Sequence, residues 1–256
     1  MKIYKAFTWL LGALALASCT KNGVQDITGT LAGSRIKFFN FGVSTPGVNF
    51  YANDAKITAV TSATGVESTT GVATGGVGSG GFYSAIAPGT YTVSGKIAAA
   101  VDKDLVISKA TATLVDGKAY SFYISGIYDA TAKTAESFVV EDAFPAALDY
   151  TTASVRFVNA ISNAAPMQLF AKNTLTGVEV AVGAALSYKT GGTFVSLPEG
   201  VYDLSTRFVG ETTNAISRTA VSFSARKVYT IGARGDITVV STTLATRPQL
   251  DNTANR

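Results

Sequence analysis

The sequence predicts an all-β protein, two tandem antiparallel β-sandwiches behind a short N-terminal leader, on three observations. Apolar residues alternate with polar ones through most of the chain, as in Arg35-Ile36-Lys37-Phe38 and Ser154-Val155-Arg156-Phe157, the period of a strand with one buried face. No helical periodicity occurs outside the leader. Three blocks also recur in the same order, so the chain is a duplication. In these blocks 36–40 matches 155–159, 88–93 matches 199–204, and Ile107-Ser108-Lys109 with Lys118-Ala119-Tyr120 matches Ile216-Ser217-Arg218 with Lys227-Val228-Tyr229.

The order along the chain is a lipoprotein signal peptide over 1–18, a tether over 19–33, a first sandwich over 34–143, a linker over 144–152, a second sandwich over 153–246 and a polar tail over 247–256. In the leader, Lys2 and Lys5 precede a short apolar run that ends in Leu16-Ala17-Ser18-Cys19. Leu16, Ala17 and Ser18 have the shape of a lipobox, and Cys19 supplies the thiol that a diacylglycerol thioether needs. The run is too short to cross a bilayer as a helix. Two or three acyl chains on Cys19 would give a stable membrane anchor where one chain gives a marginal one.

Within the copies, Asp116-Gly117 between two apolar runs is the signal of a two-residue hairpin with positive φ at both positions. Pro88-Gly89 and Glu199-Gly200 mark turns before strands that carry Tyr91 and Tyr202. Tyr91 with Tyr202, and Tyr120 with Tyr229, recur at matched places. They are expected in the packing, with their hydroxyls tied to the backbone. The glycine-rich run over 71–81 lacks the Gly-Lys-Ser/Thr of a phosphate cradle and reads as a flexible loop. Asp102 and Asp104 flank Lys103 without the glycine and distal glutamate of a calcium loop, which suits a solvated hairpin tip. Glu141 and Asp142, being adjacent on a strand, point to opposite faces and are expected to solvate a strand end.

Composition excludes several chemistries. The chain has no histidine, one cysteine and one tryptophan, Trp9, which leaves with the leader. A Ser-His-Asp triad, a histidine-rich metal site and a structural disulfide are therefore unavailable to the mature chain. Loss of Lys2 and Lys5 lowers the formal charge from +4 to +2, too little to call for nucleic acid. No catalytic, cofactor-binding or metal residues are assigned, and no cofactor is expected.

The second copy reads Val155-Arg156-Phe157-Val158-Asn159-Ala160 through Ala165-Pro166, then Leu197-Pro198-Glu199-Gly200-Val201-Tyr202. The first reads Ile36-Lys37-Phe38-Phe39-Asn40-Phe41, then Ala87-Pro88-Gly89-Thr90-Tyr91. In these motifs the chain resembles bacterial envelope lipoproteins that carry the domain of unknown function 4397, in two tandem copies. Asn40 and Asn159 stand where the family pattern has histidine. The resemblance implies immunoglobulin-like sandwiches and an envelope location, and it implies no activity.

The expected function is that of a non-catalytic, lipid-anchored protein of the cell envelope, at the outer membrane, binding a protein or glycan through its loops. Thr20, the residue after Cys19, is not the aspartate that retains some lipoproteins at the inner membrane. Two alternatives are a structural subunit of a surface fibre built by strand exchange, and a carboxylate-based glycan hydrolase.

Overall fold

A computed structural model describes residues 33–59, 67, 69–147 and 149–255. Leu16, Ala17, Ser18 and Cys19, read from the sequence as a lipobox, lie outside the described residues, as do the expected signal peptide and all of the expected tether but Gly33. The first copy contains β1 (Ser34–Asn40), β2 (Val48–Ala52), β3 (Ala55–Lys56), β4 (Gly76–Val77), β5 (Ser84–Ile86), β6 (Gly89–Ile97), β7 (Val106–Leu114), β8 (Ala119–Asp129) and β9 (Thr134–Glu141). The second contains β10 (Thr152–Asn159), β11 (Met167–Asn173), β12 (Glu179–Leu186), β13 (Thr190–Gly191), β14 (Val195–Pro198), β15 (Gly200–Phe208), β16 (Ile216–Phe223), β17 (Val228–Arg234) and β18 (Gln249–Ala254).

Each copy is a sandwich-like half built from two sheets. In the first, an outer sheet of order β3-β2-β6-β7 faces an inner sheet of order β4-β1-β8-β9, with β5 also on β1. The second repeats this as β12-β11-β15-β16 over β13-β10-β17-β18, with β14 on β10. Pairing is antiparallel except between β1 and β8 and between β10 and β17, which run parallel. Ile36, Phe38, Phe50, Val93, Phe122 and Ile124 fill the first core, and Val155, Phe157, Leu169, Leu204, Phe223 and Ile231 fill the second.

A third cluster explains the layering. Phe39, Phe41, Tyr123 and Phe138 of the first copy pack with Val158 and Ala160 of the second. The two inner sheets therefore lie face to face, and four sheets stack in one body. Both faces of β1, β8, β10 and β17 are covered, which is why burial runs almost unbroken along them.

This layering corrects several expectations. Lys37 and Arg156, read as the solvent face of half-buried strands, are each only 1% exposed. A polar seam between two sheets has the same period of two as a solvated face, so the alternation could not tell them apart. Asp142, expected to solvate a strand end, is buried at the same seam, while its neighbour Glu141 stays exposed.

The segment 247–256, read as a polar tail, contains β18, which pairs along β17 from Arg234 opposite Gln249 to Tyr229 opposite Ala254. Leu250 supplies the one large apolar contact of that strand to the core. Asp116-Gly117 is not a hairpin: β7 lies in the outer sheet and β8 in the inner one, so the turn carries the chain between layers. Only Gly117 takes positive φ, Lys118 N–H bonds back to Val115 O, and the Asp116 carboxylate accepts from Gly33 N–H. The glycine run over 71–81 is not a free loop either. Val72 pairs with Val48, and Gly76–Val77 form β4 on β1.

Candidate functional site at the seam between the copies

Among the described residues the buried charges, Lys37, Asp142 and Arg156, gather where the inner sheets meet. Superposing the repeats by register pairs Lys37 with Arg156, Tyr83 with Phe194, Ser121 with Thr230, and Asp142 with Asn255. The last pair is fixed by the backbone, since Asp142 N–H bonds to Ala119 O and Asn255 N–H to Val228 O, both at 2.7 Å. One pseudo-symmetric arrangement thus forms two corners, each with a cation from the first strand of one copy reaching the end of the last strand of the other.

At the first corner Arg156 pairs with Asp142 Oδ1 through Nη2, donates to Glu141 O at 3.1 Å and to Thr230 Oγ1 at 3.0 Å, and lies 4.9 Å from the Phe194 ring centre. Asp142 Oδ2 accepts from Ser121 Oγ at 2.7 Å and from the Tyr83 hydroxyl at 2.6 Å. The carboxylate is thus satisfied on both oxygens, as a buried charge requires.

At the second corner Lys37 Nζ donates to Ala254 O at 3.0 Å and to Asn255 Oδ1 at 3.1 Å, and sits 4.4 Å over the Tyr83 ring. Asn255 Nδ2 donates to Thr230 Oγ1 at 2.7 Å. The Tyr83 hydroxyl touches both corners, at 3.4 Å from Asn255 Oδ1 as well as 2.6 Å from Asp142. Burial is the main reason that Lys37 falls to about 8, with the Asp142 carboxylate opposing and the Arg156 guanidinium adding to the fall. Burial and the nearby Asp142 together push the Tyr83 phenol well above its ordinary range.

Farther along the seam, the Tyr188 hydroxyl shares a hydrogen bond with Ser125 Oγ at 2.8 Å, and Lys189 pairs with Glu136 at 2.5 Å. Burial raises the Tyr188 phenol to about 12. Two residues farther along β1 and β8 than Lys37 and Ser121, the rings of Phe39 and Tyr123 stack at 4.4 Å, and those of Tyr123 and Phe138 at 5.0 Å. The surface also carries an apolar groove of about 410 Å³ in the second copy, between β12 and β14, lined by Val178, Val180, Val195, Leu197 and Tyr202. Leu175, on the adjoining turn, is 93% exposed.

The residues singled out by sequence take structural places. Tyr91 and Tyr202 donate to Ala87 O at 2.9 Å and Pro198 O at 2.8 Å, each four residues back. Tyr120 and Tyr229 hydroxyls accept from Val115 N–H and Ser224 N–H. All four thus have hydroxyls tied to the backbone, as expected. Asn40 donates to Pro46 O and Val72 O and accepts from Thr45, whereas Asn159 donates to Leu186 O and accepts from Ile161 N–H. Both shape loops from buried positions. At the β6–β7 tip Asp102 pairs with Lys133 and Asp104 accepts from Tyr51. Among the described residues no three Cys, Asp or Glu side chains gather in a way that could hold a metal ion.

Sequence reasoning missed Lys37, Tyr83, Arg156 and Asn255 as a group. One signal was available: a basic residue at the same register in both copies, with an aromatic residue matched to it downstream.

Paired sandwich-like halves, a repeated Gly-x-Tyr turn and a strand order shared by both copies define a tandem all-β protein of duplicated origin. The chain matches the family described as Domain of unknown function (DUF4397) over residues 34–170 and again over 153–256, and it belongs to that family. The two matches overlap across β10 and part of β11. No curated protein matches the chain.

Proposed function

We propose that the protein is a non-catalytic, lipid-anchored component of the cell envelope, held to the outer membrane through acyl chains on Cys19, whose sandwiches bind a protein or glycan. The observation that carries this reading is the use made of the buried ionisable groups. Arg156, Asp142, Tyr83 and Lys37 face one another across the seam and fasten the copies together, so their perturbed chemistry has a structural purpose. Recognition is then left to the outer surface, where the β12–β14 groove and the exposed Leu175 and Val178 lie on the second copy.

Asp142, the most buried carboxylate among the described residues, is held by Arg156, Ser121 and Tyr83, which disfavours a role in glycan hydrolysis. The C-terminal strand β18 lies in its own chain's sheet, which disfavours its donation to a neighbouring subunit.

The test is protease shaving of intact cells that produce the tagged chain, beside a Cys19→Ala variant, with membrane fractionation of both. Membrane association lost in Cys19→Ala, together with shaving of the wild type from outside, is the expected result, and glycan and peptide arrays then follow. Retention of Cys19→Ala in the membrane fraction would remove the anchor. Protection until the outer membrane is opened would move the search to a periplasmic partner.

A further inference from the structure

The two corners of the seam share geometry but not chemistry. Arg156 meets a carboxylate, a stable ion pair. Lys37 makes no ion pair among the described residues; its Nζ is directed at a main-chain carbonyl and at the side-chain amide of Asn255. A buried primary amine, an amide carbonyl whose oxygen is 3.1 Å away and a hydroxyl beside that oxygen are the parts of an acyl-transfer reaction at a partly buried site.

We propose that Lys37 and Asn255 condense to an intramolecular isopeptide bond, tying the first strand of the fold to the residue that follows the last. The reacting form is the neutral amine. Its lone pair attacks Cγ of Asn255, the carbonyl π pair moves onto Oδ1, a proton passes from Nζ to Nδ2, and the pair on Oδ1 re-forms the carbonyl as the Cγ–Nδ2 bond breaks to release ammonia. Nothing is oxidised or reduced, and no co-reactant is needed.

Each neighbour has a part in that step. Ala254 O, accepting from Nζ at 3.0 Å, helps hold the amine in place. The Tyr83 hydroxyl, 3.4 Å from Oδ1, is the nearest donor other than Lys37 to the oxygen on which charge develops; its proton rests on Asp142 Oδ2 at 2.6 Å and has to turn to Oδ1 as that charge forms. Thr230 Oγ1, accepting from Nδ2 at 2.7 Å, orients the leaving amide nitrogen. Burial lowers Lys37 to about 8, so the neutral amine is far more populated near neutrality than for an ordinary lysine. The product has no charge to bury at this corner. It also gives a mature chain that lacks any possible disulfide a covalent closure over nearly the whole fold.

The experiment is peptide mapping by tandem mass spectrometry of the purified, folded full chain. The expected result is a branched species joining the peptide with Lys37 to the peptide with Asn255, lighter than the two together by one ammonia, about 17 Da. It is absent from Lys37→Arg, which keeps the charge, and from Asn255→Ala, with circular dichroism verifying that both variants are folded. Tyr83→Phe, folded, is expected to show a smaller linked fraction at equal times after synthesis. Recovery of only unlinked peptides from the folded wild type overturns the proposal, as does an ammonia loss that persists in Lys37→Arg. An unchanged linked fraction in Tyr83→Phe overturns the part given to that hydroxyl.

Discussion

The two faces that meet at the seam descend from one repeat, yet they are built from opposite sizes. By register, Phe39, Phe41 and Tyr123 on the first copy correspond to Val158, Ala160 and Gly232 on the second, and Phe138 corresponds to Asp251. One face is an aromatic stack and the other a shallow bed. At Gly232 the approach is so close that a Cβ would stand 2.7 Å from Phe41 Cε2. Two aromatic faces would overpack, and two small ones would leave a void. The two copies thus meet through complementary rather than like faces, and they are not interchangeable.

The polar corners sharpen this comparison most. Arg156→Ala leaves Asp142 buried without its counterion, and a loss of about 3–5 kcal/mol is expected in urea unfolding. A loss below about 1 kcal/mol would mean that water reaches the corner.

Alkaline pH is the next lever. Tyr83, Tyr123 and Tyr188 all lie at the seam with phenols raised mainly by burial, Tyr188 to about 12. Between pH 10 and the folded values the unfolded chain has released these protons and the folded chain has not. Stability contributed below pH 10 is therefore lost as pH rises through that window. Unfolding followed from about pH 10.5 to 12, above the range in which the lowered Lys37 makes stability rise with pH, should show this fall, and Tyr188→Phe should make it shallower.

Gly232→Ala fills the shallow bed and is expected to cost about 1–3 kcal/mol. Combining it with Phe41→Leu should recover part of that loss, and a double-mutant cycle reads the coupling. Additive losses would mean that the two residues do not share the contact. The smallest effect separates the copies at their matched tyrosines. Tyr202→Phe removes a part-buried hydrogen bond from a buried ring to Pro198 O and should cost about 1 kcal/mol, whereas Tyr91→Phe removes an exposed one from a half-buried ring and should cost less.

The duplication, the all-β class and the anchoring of Tyr91, Tyr120, Tyr202 and Tyr229 were legible in the sequence, because each rests on local patterns repeated at matched positions. The seam was not. Lys37, Ser121, Arg156 and Thr230 alternate with core residues as solvated side chains would, and only the partner sheet reveals what they face. Strand β18 was hidden for the same reason. One side of Gln249-Leu250-Asp251-Asn252-Thr253 supplies Leu250 to the core, and the other supplies Asp251 to Arg234 across the strand pair. A strand that spends its second face on polar contacts looks like a tail.

The mismatch in size across the seam also bears on how the chain assembles. The first copy emerges from the ribosome ahead of the second, with Phe39, Phe41, Tyr123 and Phe138 forming an apolar slab that has no cover until β10, β17 and β18 exist. In a crowded preparation that slab can accept the shallow face of another molecule as readily as its own. The expected by-product is a dimer in which halves are exchanged between chains, favoured by concentration during refolding and absent from material kept dilute until both copies have closed.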